Sequence, residues 1–316
     1  MLLWLFLALA QSSNPPCSPS TGAPPITTVP PVTQPVDCQD GKLLSFEQSG
    51  VTRYACLNLP AQAKRSKGKW PLIIYLHGSE TNPASLYKEG KSLFELHDTF
   101  ALSNDPAVKG FLIVSPEGRN AQPWPAAAGA QQVGIRWDEW YRDPAANLDA
   151  AAIDHFLDAA VATGLVDTRR IYVFGWSNGA FTAALYGVWR SGRIAAIGQY
   201  AGANPWARPP CPIAMPNGPQ VPLILIRNLC DRVVPCSLTS EWIGNLTAAK
   251  WPFESYNLFD DGSEAPASQP CAKVCSKVQG IHDHIRWPQK SVLEKRLLPF
   301  FKRHARSFAP LPPAPR

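Results

Sequence analysis

Ser177 lies within Gly175-Trp176-Ser177-Asn178-Gly179, between Ile171-Tyr172-Val173-Phe174 and Ala180-Phe181-Thr182-Ala183-Ala184-Leu185-Tyr186. The first flank is rich in β-branched and aromatic residues and predicts a buried strand, while the second predicts a helix. A Ser at the apex of a strand-to-helix turn takes a strained backbone conformation that crowds its neighbours. Glycine on both sides removes the side chains that would collide. The helix behind Ser177 directs its positive end at charge forming on a bound carbonyl. Residues so spaced suit nucleophilic attack by a hydroxyl.

Such a hydroxyl needs a base, and the base needs a carboxylate to fix its tautomer and stabilise the imidazolium that forms. Both follow along the chain. Asp231 comes just after the apolar run Val221-Pro222-Leu223-Ile224-Leu225-Ile226. His282 and His284 lie on the predicted loop 280–288, after a last strand at 253–259 and before a closing helix at 289–303. The residue types alone leave the choice between these two histidines open. Upstream, the predicted strand Pro71-Leu72-Ile73-Ile74-Tyr75-Leu76 runs into His77-Gly78-Ser79. Glycine there lets the backbone approach a substrate. The N–H groups of Ser79 and Asn178 are the expected pair of oxyanion donors, and the His77 side chain is read as structural.

The elements that must position these groups alternate between apolar strands and amphipathic helices. A hairpin around Ser49-Gly50 precedes the strands 71–76 and 111–115, the helix 147–162, and the strands 171–174, 194–200, 221–226 and 253–259. Continuous apolar strands separated by helices predict an α/β fold, with a mostly parallel central sheet and helices on both faces. Trp124, Trp137, Trp140 and Tyr141 follow the strand at 111–115. They suit either an apolar wall for a substrate or a cap over the core. Trp137, Trp176 and Trp287 are the expected substrate-binding aromatics. Asp154 and His155 adjoin within one helix and so point in different directions, which favours structural roles.

Residues 1–10 form an apolar run ending in Ala8-Leu9-Ala10. It has the length of a signal-peptide core and an A-x-A cleavage pattern, although no Lys or Arg precedes it. It is shorter than the roughly 20 residues a membrane span needs. Residues 11–36 and 306–316 are rich in Pro and poor in core-forming side chains, and read as a linker and a tail. One catalytic domain is expected over 37–305. The net charge of +6 is scattered along the chain, which argues against a nucleic-acid partner. Eight cysteines in an exported chain imply disulfides. Cys38 and Cys56 bracket the hairpin, and Cys230 and Cys236 bracket a short loop. Cys271 and Cys275 could pair only outside a regular helix. Cys17 and Cys211 are left without an assignment. A zinc set of Cys271, Cys275, His282 and His284 is a competing reading of the last segment, although its spacing is unusual.

Leu76-His77-Gly78, Pro116-Glu117-Gly118, Val166-Asp167-x-x-Arg170-Ile171-Tyr172-Val173, Gly175-Trp176-Ser177-Asn178-Gly179, Asp231 and the His284…Trp287-Pro288 ending together resemble an α/β-hydrolase. More narrowly, the chain is similar to the secreted group of polyhydroxybutyrate depolymerases and feruloyl or acetylxylan esterases. The resemblance covers residues 40–303. It favours His284 over His282, since in that group a His lies close to a Trp-Pro pair. It implies a secreted, monomeric serine esterase with the triad Ser177, Asp231 and His284. The expected partner is an ester substrate, either small or part of a polyester or plant polysaccharide. No cofactor and no metal are implied. A serine peptidase or amidase would use the same triad, and a non-catalytic binding module could share the scaffold.

Overall fold

The computed structural model describes residues 17, 18, 21, 22, 25, 26, 35–65, 68–121, 134–209, 211–271, 275 and 281–307, with side chains omitted at 281 and 282. The expected signal segment, Trp124 and the end of the tail lie outside the described residues, as does the side chain of His282.

Nine strands form the main sheet: β1 (Lys42–Gln48), β2 (Val51–Asn58), β3 (Trp70–Leu76), β4 (Leu112–Pro116), β5 (Val166–Trp176), β6 (Ala196–Tyr200), β7 (Leu223–Asn228), β8 (Phe253–Leu258) and β9 (Glu264–Ala265). Their spatial order is β1-β2-β4-β3-β5-β6-β7-β8-β9. The six strands from β4 to β8 are mutually parallel. Antiparallel pairing is confined to the two edges. β3, β4, β6 and β7 are buried along their whole length. Their sequences are mostly apolar, with Ser115, Gln199, Arg227 and Asn228 the polar exceptions, as expected of strands covered by helices on both faces.

The helices are α1 (Lys91–Leu96), α2 (Leu148–Ala162), α3 (Asn178–Trp189), α4 (Cys236–Ala248) and α5 (Ile281–Ile285), followed by a helical run over 290–303. Asn147 caps α2 by accepting from the backbone N–H groups of Asp149 and Ala150. The closing run passes through a π-helical turn at Leu293–Leu297, and Leu293, Leu297, Leu298 and Phe301 face the core. Two apolar layers result, one on each side of the sheet. One contains Trp137, Phe156 and Tyr186, and the other Tyr75, Phe174, Tyr200 and Phe301. Asp154 and His155 are structural: Asp154 pairs with Arg190 at 2.6 Å, and His155 stacks on Phe46 at 4.0 Å.

Two expectations are corrected. The arm over 11–36 is not a free linker where it is described. Cys17 is bonded to Cys211, Arg142 N–H donates to Thr21 O at 2.7 Å, and Ile26 N–H donates to Asp138 Oδ2 at 2.9 Å. Asp138 and Arg119 offer buried partners to this backbone, and pairing with them satisfies polar groups on both sides. The second correction concerns the cysteines. Cys38–Cys56 forms across the hairpin as expected, but Cys230 and Cys236 do not pair with each other, and neither do Cys271 and Cys275. The bonds are Cys230–Cys275 and Cys236–Cys271. Cys236 opens α4 while Cys230 precedes the turn before it, so each sulfur meets the segment after β8 instead of the other. That segment carries His284, so both bridges join it to the loop of Asp231. With their sulfurs in disulfides, Cys271 and Cys275 cannot serve as thiolate ligands.

Candidate active site

The site lies at the C-terminal ends of the parallel strands, where loops from an open sheet converge. Ser177 follows β5 and precedes α3, with φ 55° and ψ −125°. This is the left-handed region that non-glycine residues seldom occupy. The surrounding contacts hold it there. Ser177 N–H donates to Tyr200 O at 3.0 Å. A Cβ on Gly175 would stand 2.0 Å from Gly179 O, and one on Gly179 would stand 2.2 Å from Leu76 O. Glycine at these two positions is therefore a steric requirement of the turn. Close packing also brings the end of β3 against the nucleophile: a Cβ on Gly78 would lie 3.3 Å from Ser177 Cβ.

Ser177 Oγ is 2.7 Å from His284 Nε2, and His284 Nδ1 is 2.7 Å from Asp231 Oδ2. Asp231 follows β7 and is buried. Its other oxygen, Oδ1, accepts the backbone N–H groups of Val233 at 2.8 Å and Val234 at 2.9 Å. A carboxylate held in this way can only accept, so Nδ1 of His284 carries the proton and Nε2 accepts from the Ser177 hydroxyl. His284 stands in the short helix α5 and not on an open loop. Trp176 Nε1–H donates to His284 O at 3.1 Å and so fixes the backbone behind the imidazole. The described residues thus bring Ser177, Asp231 and His284 into one hydrogen-bonded line.

The proposed oxyanion donors belong to the same framework. Among the described residues, the backbone N–H groups of Ser79 and Asn178 have no partner within the protein. The side chain of Asn178 is fully engaged. Its Oδ1 accepts Trp137 N–H at 2.7 Å, and its Nδ2 donates to Trp137 O and Glu139 Oε2, both at 3.1 Å. Trp137 Nε1–H donates to His77 O at 2.9 Å. One residue therefore braces the Ser79 loop with its indole and the start of α3 with its backbone.

His77 is fully buried and clamps this loop. Its Nε2 accepts Gly118 N–H at 2.9 Å, and its Nδ1–H donates to Gly78 O at 2.7 Å. Burial lowers its pKa to about 4, so the ring is neutral in the folded protein. The unfolded chain takes up a proton near pH 6.5 and the folded one only near pH 4. Stability from His77 is therefore complete above pH 6.5 and is lost as pH falls toward 4. Glu117 works in the opposite sense, because burial raises its carboxyl to about 7. The same cause raises Asp138 to about 6. The effect of His77 is isolated as a difference between variants. The unfolding free energy of the wild type minus that of His77→Asn should shrink by about 3 kcal/mol between pH 7 and pH 4. Urea unfolding of both proteins at the two pH values measures it.

Two of the three expected substrate-binding aromatics are buried. Trp137 is wholly buried and serves as the brace described above. Trp176 is buried behind His284. Trp287 is half-buried and stacks on Phe174, with ring centroids 5.6 Å apart. Trp140 is buried as well, so among the described residues Trp137 and Trp140 pack into the interior, while Tyr141 is half-buried. Trp137 and Trp176 sit in the layers beside the sheet, where their large apolar area is removed from water. A cavity of about 280 Å³ occurs elsewhere, between Phe181, Ala203, Arg208 and Leu238. Phe181 is one turn along α3 from Ser177, and Leu238 lies in the first turn of α4, after the Asp231 loop.

No protein-family model matches the sequence, and no curated protein does. Solved structures do resemble it. A thermostable esterase superimposes with a TM-score of 0.54 at 15% identity, covering 85% of this chain and 64% of its own. A ferulic acid esterase gives a TM-score of 0.55 at 16% identity, covering 83% of this chain and 98% of its own. The chain thus spans 64% of the length of the thermostable esterase. At these identities the likeness speaks for architecture, and together with the strand order it shows that the chain has the α/β-hydrolase fold.

Proposed function

We propose that the protein is an exported serine carboxylic-ester hydrolase that works through an acyl-enzyme. The observation that carries this reading is the pair of 2.7 Å contacts linking Ser177 Oγ, His284 and Asp231. Ser177 Oγ attacks the ester carbonyl as its proton passes to His284 Nε2. The N–H groups of Ser79 and Asn178 stabilise the oxyanion, each donor contributing about 3 kcal/mol. His284 returns the proton to the departing alkoxide and the alcohol leaves. Water, deprotonated by His284, then cleaves the acyl-enzyme to release the acid and restore Ser177. Asp231 keeps the imidazole in the tautomer this sequence needs.

The substrate class is a feruloyl or acetyl ester of a plant polysaccharide, or a polyester such as polyhydroxybutyrate. A ferulic acid esterase is among the structures of similar architecture. Three exposed apolar side chains, Val233, Leu238 and Ile285, lie close in sequence to Asp231 and His284 and suit contact with an extended apolar substrate. Four disulfides support an oxidising compartment. The protein is read as a monomer with no cofactor. Initial rates on p-nitrophenyl acetate and butyrate, methyl ferulate, acetylxylan and polyhydroxybutyrate film test the proposal. Turnover of the p-nitrophenyl esters and of at least one natural class is expected. Hydrolysis of peptides or amides with no ester turnover would overturn it.

A further inference from the structure

Glu139 is almost fully buried, and each of its carboxylate oxygens meets one donor. Oε2 accepts from Asn178 Nδ2 at 3.1 Å, and Oε1 accepts from Arg208 at 2.5 Å. The orientation of the Asn178 amide is fixed independently, because Trp137 N–H requires its oxygen. The Arg208 guanidinium packs on aromatic rings, 4.5 Å from the Phe181 ring and 5.5 Å from the Trp140 ring. Other cations nearby are occupied. Arg142 donates to the carbonyls of Cys211 and Pro205, and Arg136 to that of Ala121. Glu139 thus stands between two donors, a buried amide and a guanidinium stacked over aromatic rings.

We propose that Glu139 is a positioning residue for the oxyanion hole, acting through the side chain of Asn178 and held in place by Arg208. The proposal rests on the esterase reading of the site. Asn178 contributes its backbone N–H to the oxyanion, so its amide side chain is free to serve as an anchor. That anchor ties the first residue of α3 to 137–139, the segment whose indole also holds the Ser79 loop. Only a group with two acceptors satisfies both neighbours. Glutamine at 139 would turn an N–H toward either Asn178 or Arg208, leaving two donors facing each other in a buried place.

The consequence is a specific pattern of loss and rescue. Glu139→Gln should lower kcat on p-nitrophenyl butyrate about 10- to 100-fold with little change in KM, because oxyanion contacts strengthen only in the transition state. Replacing Arg208 by Met removes one of the two donors, so glutamine can turn its carbonyl to Asn178. Glu139→Gln/Arg208→Met should therefore recover most of the kcat that Glu139→Gln loses. Rates are taken per site reactive toward a p-nitrophenyl alkylphosphonate, which removes any effect of a smaller folded fraction. Wild-type kcat in Glu139→Gln, or a double variant as slow as the single one, would overturn the positioning role. A wild-type protein that neither turns over the ester nor reacts with the phosphonate would overturn the esterase reading, and this inference with it.

Discussion

Ser177→Ala is expected to lower kcat on p-nitrophenyl butyrate by about a millionfold, and adding His284→Ala should cost almost nothing more. The two residues perform one act. Without Oγ there is no proton for His284 Nε2 to take, and without Nε2 the hydroxyl has no base at 2.7 Å. The residual rate comes from the oxyanion donors and from binding, which neither substitution removes. Ala fits the turn, since the φ of 55° is imposed by the Tyr200 hydrogen bond and the two glycines and not by the hydroxyl. The variant should keep the thermal midpoint of the wild type within a few degrees. Single-turnover rates of the two single variants and the double variant provide the check, and losses that multiply would argue against a shared step.

Asp231→Asn is expected to cost about ten-thousandfold in kcat while leaving the fold intact. The two oxygens of Asp231 have different duties. Oδ1 accepts from the N–H groups of Val233 and Val234, and an asparagine carbonyl can replace it there. The amide NH₂ must then take the place of Oδ2 and donate toward His284 Nδ1. The ring responds by moving its proton to Nε2, where it faces Ser177 and can no longer accept. Steady-state kinetics with thermal unfolding measures both halves of this expectation. A loss below tenfold would mean that Asp231 does not set the tautomer.

The sequence made most of the framework legible through local signals. The strands β3 to β7 contain recognisable apolar stretches, and the turn at Ser177 is marked by glycines where a Cβ would stand only 2.0 and 2.2 Å from backbone oxygens. Asp231 and His284 were readable from chain order, with the choice against His282 resting on resemblance. Long-range pairing was harder to read. Nothing local tells Cys230 to pass over Cys236 and bond to Cys275, because that depends on where the segment after β8 comes to rest. Trp137 and Trp176 misled for a related reason: composition marks a Trp as large and apolar but not which side of the sheet will claim it. Glu139 was missed because a buried carboxylate is recognised only once two donors are seen around it. The one hint was the density of charge and aromatics in Trp137-Asp138-Glu139-Trp140-Tyr141-Arg142-Asp143, where buried pairing is common.

All of this chemistry depends on activation of the Ser177 hydroxyl as a nucleophile by His284. Intact-mass and peptide mapping after treatment with a p-nitrophenyl alkylphosphonate tests it most directly. One phosphonyl group per chain is expected, located on Ser177, with release of one p-nitrophenol, and no adduct in Ser177→Ala. An unmodified wild type, or an adduct that persists on another residue in Ser177→Ala, would contradict it.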